Sequence, residues 1–357
     1  MADRKRMDKN RIWQATGIQL LLLSVILCGI VVVSTGMGYI KLPFTDVVKI
    51  IIAKISGHSA MLRELDELFP VIVMDVRLPR ILTAAIVGGG LAVSGAVFQA
   101  ILLNPLADPY TLGVSAGAAF GASLALLFNI TILGVYTIPA FAFMGSVCTL
   151  AFVIALSSDR VSLDGGLSSG NLILSGIIVA AILSAGLSFL KYIADEQVAI
   201  IIFWLMGSFA SKTWTDVSLT LLFVCGGFSV SLFFARDMNL MSLGDRSAAS
   251  LGVDTRKVTL ILLVTASLVA AVCVSVSGII GFVGLLVPHM MRSLTGPDNQ
   301  RLLPVALLAG AILLLSADTI TRAVLPTEIP IGVLTALIGG PFFCYIFRKR
   351  QMAGQRG

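Results

Sequence analysis

The chain has 357 residues, of which 57% are hydrophobic and only 12% are charged, and its mean hydropathy is +0.99. Soluble domains carry about twice that charged fraction, so a water-soluble enzyme, a disordered protein and a disulfide-stabilised secreted domain are all excluded. The composition predicts a polytopic membrane protein.

Charged side chains are costly in hydrocarbon, so the gaps between them mark candidate spanning helices of about 20 residues. The long gap 109–158 divides between Asn129 and Pro139, and the gap 258–291 divides near Ser275 to Gly278. The apolar interval 197–211 is too short to cross and predicts a re-entrant or tilted half-helix, although an eleventh span is the alternative. The ten predicted spans are 12–35, 77–103, 109–128, 138–157, 171–190, 214–235, 258–276, 279–293, 302–321 and 329–347.

Basic residues cluster in both tails, 1–11 and 348–357, which predicts that both termini are cytoplasmic and that the number of spans is even. We therefore expect an all-α chain with about ten transmembrane helices in a single domain, 1–357. The net charge of +6 comes mostly from the tails and suits an anionic membrane face. It does not indicate a nucleic-acid partner.

Two connections between the spans have helical patterns of their own. Residues 44–55 predict a short amphipathic helix at the outer surface. Residues 236–257, the largest predicted inner connection, are broken by Gly244 and Gly252 and predict two short helices with a hinge, the second capped by Asp245. Their apolar side chains favour either a docking surface for a cytoplasmic partner or a loop folded back on the bundle.

Chemically reactive residues are sparse. The five cysteines lie in apolar segments and no two have metal-ligand spacing, and neither a catalytic constellation nor a phosphate-binding loop is visible. We expect no catalytic residue, no metal site and no cofactor in this chain, so that ATP and Mg²⁺ would be held by a partner. Asp318 is the only acid clearly inside a span, with Arg322 four residues later on the same face. The lack of further intramembrane carboxylates disfavours an ion-coupled carrier.

Several ordered segments resemble the FecCD-type permeases, the membrane subunits of ABC importers for iron–siderophores, haem and cobalamin. The resemblance runs from about residue 15 to 350 without a large insertion. The segments that carry it are 77–80 (RLPR), 94–99 (SGAVFQ), 104–109 (NPLADP), 112–118 (LGVSAGA), 243–252 (LGDRSAASLG), 278–292 (GIIGFVGLLVPHMMR), 317–322 (ADTITR) and 329–335 (IPIGVLT).

The resemblance implies the type II ABC importer permease fold in the cell membrane. It also implies a homodimer with the pathway between subunits, two cytoplasmic ATPase subunits and an extracytoplasmic substrate-binding protein. We call residues 236–257 the coupling segment, because the family's ATPase contacts fall on its residues Leu243, Gly244, Asp245, Arg246, Ser247, Ala248, Leu251 and Gly252.

Two further sites follow from the resemblance. Arg77, Arg80 and Arg322 match the arginines that receive carboxylates of the binding protein; snorkelling at the membrane rim is the alternative. Ser168, Ser169 and Gly170 match the cytoplasmic gate, and an ordinary helix start is the alternative. Ferric siderophore is the favoured substrate. Cobalamin or another corrinoid, haem, and an oxyanion such as molybdate are alternatives, and an ion-coupled secondary carrier is the rival from another class.

Overall fold

The computed structural model describes residues 2–38, 42–56, 66, 68–158, 168–323 and 327–354. These residues form helices joined by turns and short irregular segments. The helices are α1 Ala2–Gly36, α2 Phe44–Ser56, α3 Leu68–Val71, α4 Leu78–Ile101, α5 Val114–Leu127, α6 Thr137–Ser157, α7 Ser169–Ile193, α8 Val198–Leu205, α9 Trp214–Phe233, α10 Ala235–Met241, α11 Asp245–Ser250, α12 Thr255–Ser277, α13 Val283–Thr295, α14 Asn299–Ala323 and α15 Ile331–Gly354.

All ten predicted spans correspond to helices, but they are not equally long. Among the described residues, seven of these ten helices are long and apolar enough to cross a membrane, and the other three are α5, α13 and α15. The predicted spans 109–128 and 279–293 contain α5 and α13, which have only 14 and 13 residues. Each is therefore about 20 Å long, shorter than a hydrocarbon core of about 30 Å. Irregular chain precedes both helices, so helical structure covers only part of those two predicted spans.

Helix α4 forms the centre of the bundle and is buried along almost its whole length. It packs against α14, α13, α12 and α9. Glycines allow the closest approaches: a Cβ on Gly88 would lie 2.3 Å from the carbonyl oxygen of Gly310, and one on Gly95 would lie 1.8 Å from that of Gly284. Small residues permit such backbone contact between membrane helices. The interior of the single chain is consequently filled with protein.

Gly113, Gly117 and Gly121 recur at every fourth position of the sequence, a stripe that predicts close helix packing, and the structure confirms it at Gly117 and Gly121. A Cβ on Gly117 would lie 2.4 Å from the carbonyl oxygen of Gly145, and one on Gly121 would lie 2.2 Å from that of Phe141. These two glycines therefore bring α5 into backbone contact with α6. The stripe is a packing feature.

The chain between α3 and α4 is a π-helix, Ile72–Arg77, so that residues 68–101 run as one long helix. The extra residue in a π turn shifts the helical register, and such turns are common at functional sites. Helix α2 nearby is amphipathic, as predicted. Val47 and Ile50 are buried on one face and Lys49 is exposed on the other.

The predicted half-helix and the predicted break at Ser275 to Gly278 are confirmed, and they contact each other. Helix α8 ends before Gly207, whose φ is +76°, and α12 ends at Ser277 before Gly278, whose φ is +74°. The Ser208 N–H donates to the carbonyl oxygen of Ser277 over 2.8 Å. The left-handed backbone at both glycines is the region that glycine adopts without strain.

Candidate functional site

Charged side chains meet where α4 begins and α14 ends. The Asp318 carboxylate is 1% exposed and accepts from Arg80 Nε over 3.1 Å and from a terminal guanidinium nitrogen of Arg80 over 2.8 Å. Arg322 Nε lies 3.5 Å from the other carboxylate oxygen. Arg80 also donates to Glu328, whose side chain is 48% exposed. We call Arg77 and these four residues the arginine cluster.

The arginine cluster also holds the end of α1. Arg322 donates to the carbonyl oxygen of Met37 over 2.5 Å, and to the carbonyl and hydroxyl oxygens of Ser34 over 2.6 Å each. Arg77 donates to the carbonyl oxygen of Thr35 over 2.6 Å. A helix leaves its last carbonyl groups without helical partners. The two arginines therefore satisfy acceptors at the C-terminal end of α1.

A cavity of about 250 Å³ lies beside the cluster and is bounded by Arg80, Asp318, Glu328 and the turn at Gly207. Lys212 lies near the same place. Burial lowers the pKa of Lys212, the carboxylate of Asp216 raises it, and the charge of Arg80 lowers it further. The lining carries one guanidinium group and two carboxylates, so charges of both signs border this cavity.

The three arginines that the resemblance assigned to docking are thus close together, although Arg77 and Arg322 lie 245 positions apart in the sequence. Their guanidinium groups point into the protein. Arg77 is buried, and the side chains of Arg80 and Arg322 are only 14% and 9% exposed. Glu328 was not foreseen from the sequence. The sequence signal that could have indicated it was the position of this acid, close in sequence to the basic residue Arg322.

The coupling segment forms a helical hairpin, as predicted. Helices α10 and α11 are joined by Ser242, Leu243 and Gly244, and α11 ends before Gly252. The apolar side chains of Leu243 and Leu251 are 63% and 61% exposed, and only Ala248 of α11 is buried. The hairpin therefore presents apolar surface away from the bundle.

The expected cap at Asp245 is wrong. Gly244 occupies the N-cap position with φ of +98°, no side chain caps α11, and Asp245 is the first helical residue. An acid there still complements the helix dipole. The cap found in this part of the chain is Asp254, whose carboxylate accepts from the Lys257 N–H over 3.1 Å at the start of α12.

A second polar network joins the hairpin to the start of α14. The side-chain nitrogen of Asn239 donates to Asp298 over 2.7 Å. Its side-chain oxygen accepts from the main-chain and side-chain nitrogens of Asn299, each over 2.9 Å. Asp298 also accepts from the Gln300 N–H over 3.0 Å and lies 3.3 Å from Arg301 Nε. This network was not predicted from the sequence, where the only indication of it was the polar residue Asn239 between Met238 and Leu240.

The predicted gate residues lie at the start of α7. Ser168 is in the N-cap position and makes no side-chain cap. Ser169 Oγ contacts the carbonyl oxygen of Ile101, at the end of α4, over 3.4 Å. A Cβ on Gly170 would meet only Ser168 Oγ, at 3.7 Å. The site is uncrowded and borders the end of α4.

No group of three or more His, Cys, Asp or Glu side chains in the described part of the chain is arranged to hold a metal ion. Two polar networks of the described residues lie at opposite ends of α14. Both are built for hydrogen bonding and ion pairing.

Comparison with known proteins gives a consistent result. The model of the FecCD transport family matches residues 21–349. The cobalamin import system permease of Halobacterium salinarum is 44% identical over 283 residues, covering 79% of this chain and 74% of the relative. The hemin transport system permease of Yersinia pestis is 37% identical over 341 residues, covering 94% of this chain and 96% of the relative.

A solved structure supports the same assignment. It is named for an inward-facing conformation of an ABC transporter of the metal-chelate type. It is 35% identical to this chain, with a TM-score of 0.79, and the match covers 92% of this chain and 98% of that one. At this identity, sequence and fold agree over nearly the whole length.

Proposed function

This chain belongs to the FecCD transport family, and from that premise we propose that it is the membrane-spanning subunit of an ATP-driven importer that brings a ferric siderophore into the cell. Chains of this family are multi-pass permease subunits of ABC transporters and are not themselves enzymes. The family implies association with ATPase subunits and a substrate-binding protein.

The observation that carries the proposal is the helical hairpin of the coupling segment. Leu243 and Leu251 expose apolar surface in an otherwise polar setting, where an unpartnered apolar patch is unfavourable. A docked ATPase subunit would cover these side chains, and its closure on ATP would displace α11. Arg246, which is exposed on the same helix, would then face that subunit. In this proposal the hairpin lies on the cytoplasmic side.

The filled interior of the single chain supports a pathway between two copies. Helix α4 is surrounded by protein, and glycine contacts at Gly88 and Gly95 leave no room along it for a large chelate. In the proposed mechanism the substrate therefore passes between the subunits of a homodimer, with Ser168, Ser169 and Gly170 at its cytoplasmic constriction. Alternating access would result when the two bundles rock against each other.

The arginine cluster is the proposed docking place for carboxylates of the binding protein. It lies at the end of α14 opposite the coupling segment, about 28 Å away at 1.5 Å per residue between Asn299 and Asp318. Among the arginines of the cluster, Arg80 is the best placed to bind a partner's carboxylate, because it already bonds the half-exposed carboxylate of Glu328. A partner's carboxylate would compete with Glu328 for that guanidinium group.

Cobalamin is the second candidate substrate, because a cobalamin permease is 44% identical to this chain. The test is uptake by proteoliposomes that contain this chain, its ATPase and its binding protein. Labelled ferric siderophore and labelled cobalamin are offered in parallel, with ATP or a non-hydrolysable analogue. ATP-dependent entry of ferric siderophore supports the proposal, and entry of cobalamin alone replaces the substrate.

Uptake without the ATPase that follows an ion gradient would contradict the importer mechanism and favour a secondary carrier. If neither compound entered the vesicles, both would be rejected as substrates. Haem and molybdate would then be offered to the same vesicles.

A further inference from the structure

Asn239 stands where the coupling segment meets the rest of the protein. Its amide donates to Asp298 and accepts from Asn299, so that one side chain contacts both residues at the start of α14. An amide supplies a donor and an acceptor at once, which neither a carboxylate nor an aliphatic side chain of this size does. The residue type is therefore matched to its two partners.

The helix that carries Asn239 is held in the bundle by two large buried side chains, whereas the next helix is held by one small one. In α10, Met238 and Met241 are buried in the same apolar core as Leu302 and Leu303 of α14. In α11 only Ala248 is buried. Helix α11 contacts both α10 and α12, so a displacement of α11 by a docked partner reaches the bundle through α10 as well as through α12.

Helix α14 in turn forms a rigid pair with α4. A Cβ on Gly310 would lie 2.4 Å from the carbonyl oxygen of Gly88, so the two backbones are in direct contact. At the far end, Arg80 of α4 binds Asp318 of α14. Packed helices of this kind move together, because close-packed interfaces do not deform continuously.

We propose that Asn239 is the positioning residue that transmits movement of the coupling segment to the α4–α14 pair, and through it to the arginine cluster. The inference rests on the proposed function, in which an ATPase subunit binds the hairpin. Asn239 contacts neither substrate nor nucleotide in this mechanism. It acts by holding α10 to the start of α14 while α11 is displaced.

The test is the substitution Asn239→Asp in the full transporter. The change replaces the donor that faces Asp298 by a second carboxylate oxygen at a distance of 2.7 Å, where two like charges repel. Hydrogen bonds to charged groups contribute enough that their loss changes an equilibrium about ten-fold. We expect substrate transported per ATP hydrolysed to fall about ten-fold, with the ATPase subunits still bound.

A second substitution provides the rescue. Adding Asp298→Asn to Asn239→Asp reverses the donor and the acceptor, since the new amide donates to the new carboxylate, and the Asn299 nitrogens retain their acceptor. We expect the double variant to regain only part of the wild-type coupling ratio, because the Asp298 oxygen that the new amide nitrogen replaces also accepts from the Gln300 N–H. Gln300→Ala is the matched control, because Gln300 contacts Asp298 through its main-chain N–H and should keep the wild-type ratio.

Amount, monodispersity and thermal midpoint are measured for every variant, since a merely structural role would change these and not the ratio. Asn239→Ala serves as the milder variant if Asn239→Asp accumulates poorly, and it should also lower the ratio. A wild-type ratio in both single variants, or a double variant that recovers stability but not coupling, would overturn the inference. A wild-type chain that binds no ATPase subunit would instead contradict the proposed function.

Discussion

Replacing Asp318 by asparagine tests whether the arginine cluster holds the bundle together at this end. Asparagine and aspartate have nearly the same volume, so Asp318→Asn keeps the shape of the side chain and removes the buried negative charge that lies between Arg80 and Arg322. Breaking a buried ion pair by removing one partner costs about 3–5 kcal/mol. Because Arg80 is partly exposed and the amide oxygen still accepts one bond, we expect a loss of about 3 kcal/mol, at the low end of that range.

The matched control is Glu328→Gln, which removes the same charge from the same arginine at a half-exposed position. Exposed ion pairs contribute only about 0–1 kcal/mol. Thermal unfolding of the purified chain in nanodiscs, followed by tryptophan fluorescence, measures both losses. Trp214 is a local reporter, because its Nε1 donates to the carbonyl oxygen of Met74 beside the cluster. If Asp318→Asn were no more destabilising than Glu328→Gln, the buried ion pair would not be what holds α4 and α14 together here.

Three other substitutions test separate parts of the argument. Gly95→Ala should destabilise the chain by about 1–3 kcal/mol or more, because its Cβ would lie 1.8 Å from the Gly284 carbonyl oxygen. The control Gly226→Ala has open space around it and should not destabilise the chain. Equal thermal midpoints for the two variants would show that close packing at Gly95 does not contribute to stability. Glu328→Gln should tighten binding of the substrate-binding protein about two- to five-fold by removing a competitor for Arg80, and weaker binding measured by surface plasmon resonance would refute this. Arg246→Gln should leave the fold intact and uncouple ATP hydrolysis from uptake, so unchanged coupled uptake would exclude that role for Arg246.

The sequence by itself was sufficient to predict the positions of most helices, because the cost of placing charge in hydrocarbon is a local property of the chain. The break predicted at Ser275 to Gly278 corresponds to the end of α12 at Ser277. The short apolar run that begins at Gln197 corresponds to the short helix α8. The glycines at 117 and 121 predicted close helix packing for a similar reason, since the absence of a side chain is also a local property that the sequence states directly. The FecCD resemblance also came from ordered local segments.

Only the tertiary structure decided which polar groups meet. Arg80 and Asp318 are 238 positions apart, and Asn239 and Asp298 are 59 apart, so no periodicity within one helix could pair them. The structure also showed that Arg77 faces inward and bonds the end of α1, a contact that the resemblance to the FecCD permeases did not imply. A buried charge takes whatever partner the packed helices bring within reach, and that depends on how α1, α4, α10 and α14 come together in three dimensions.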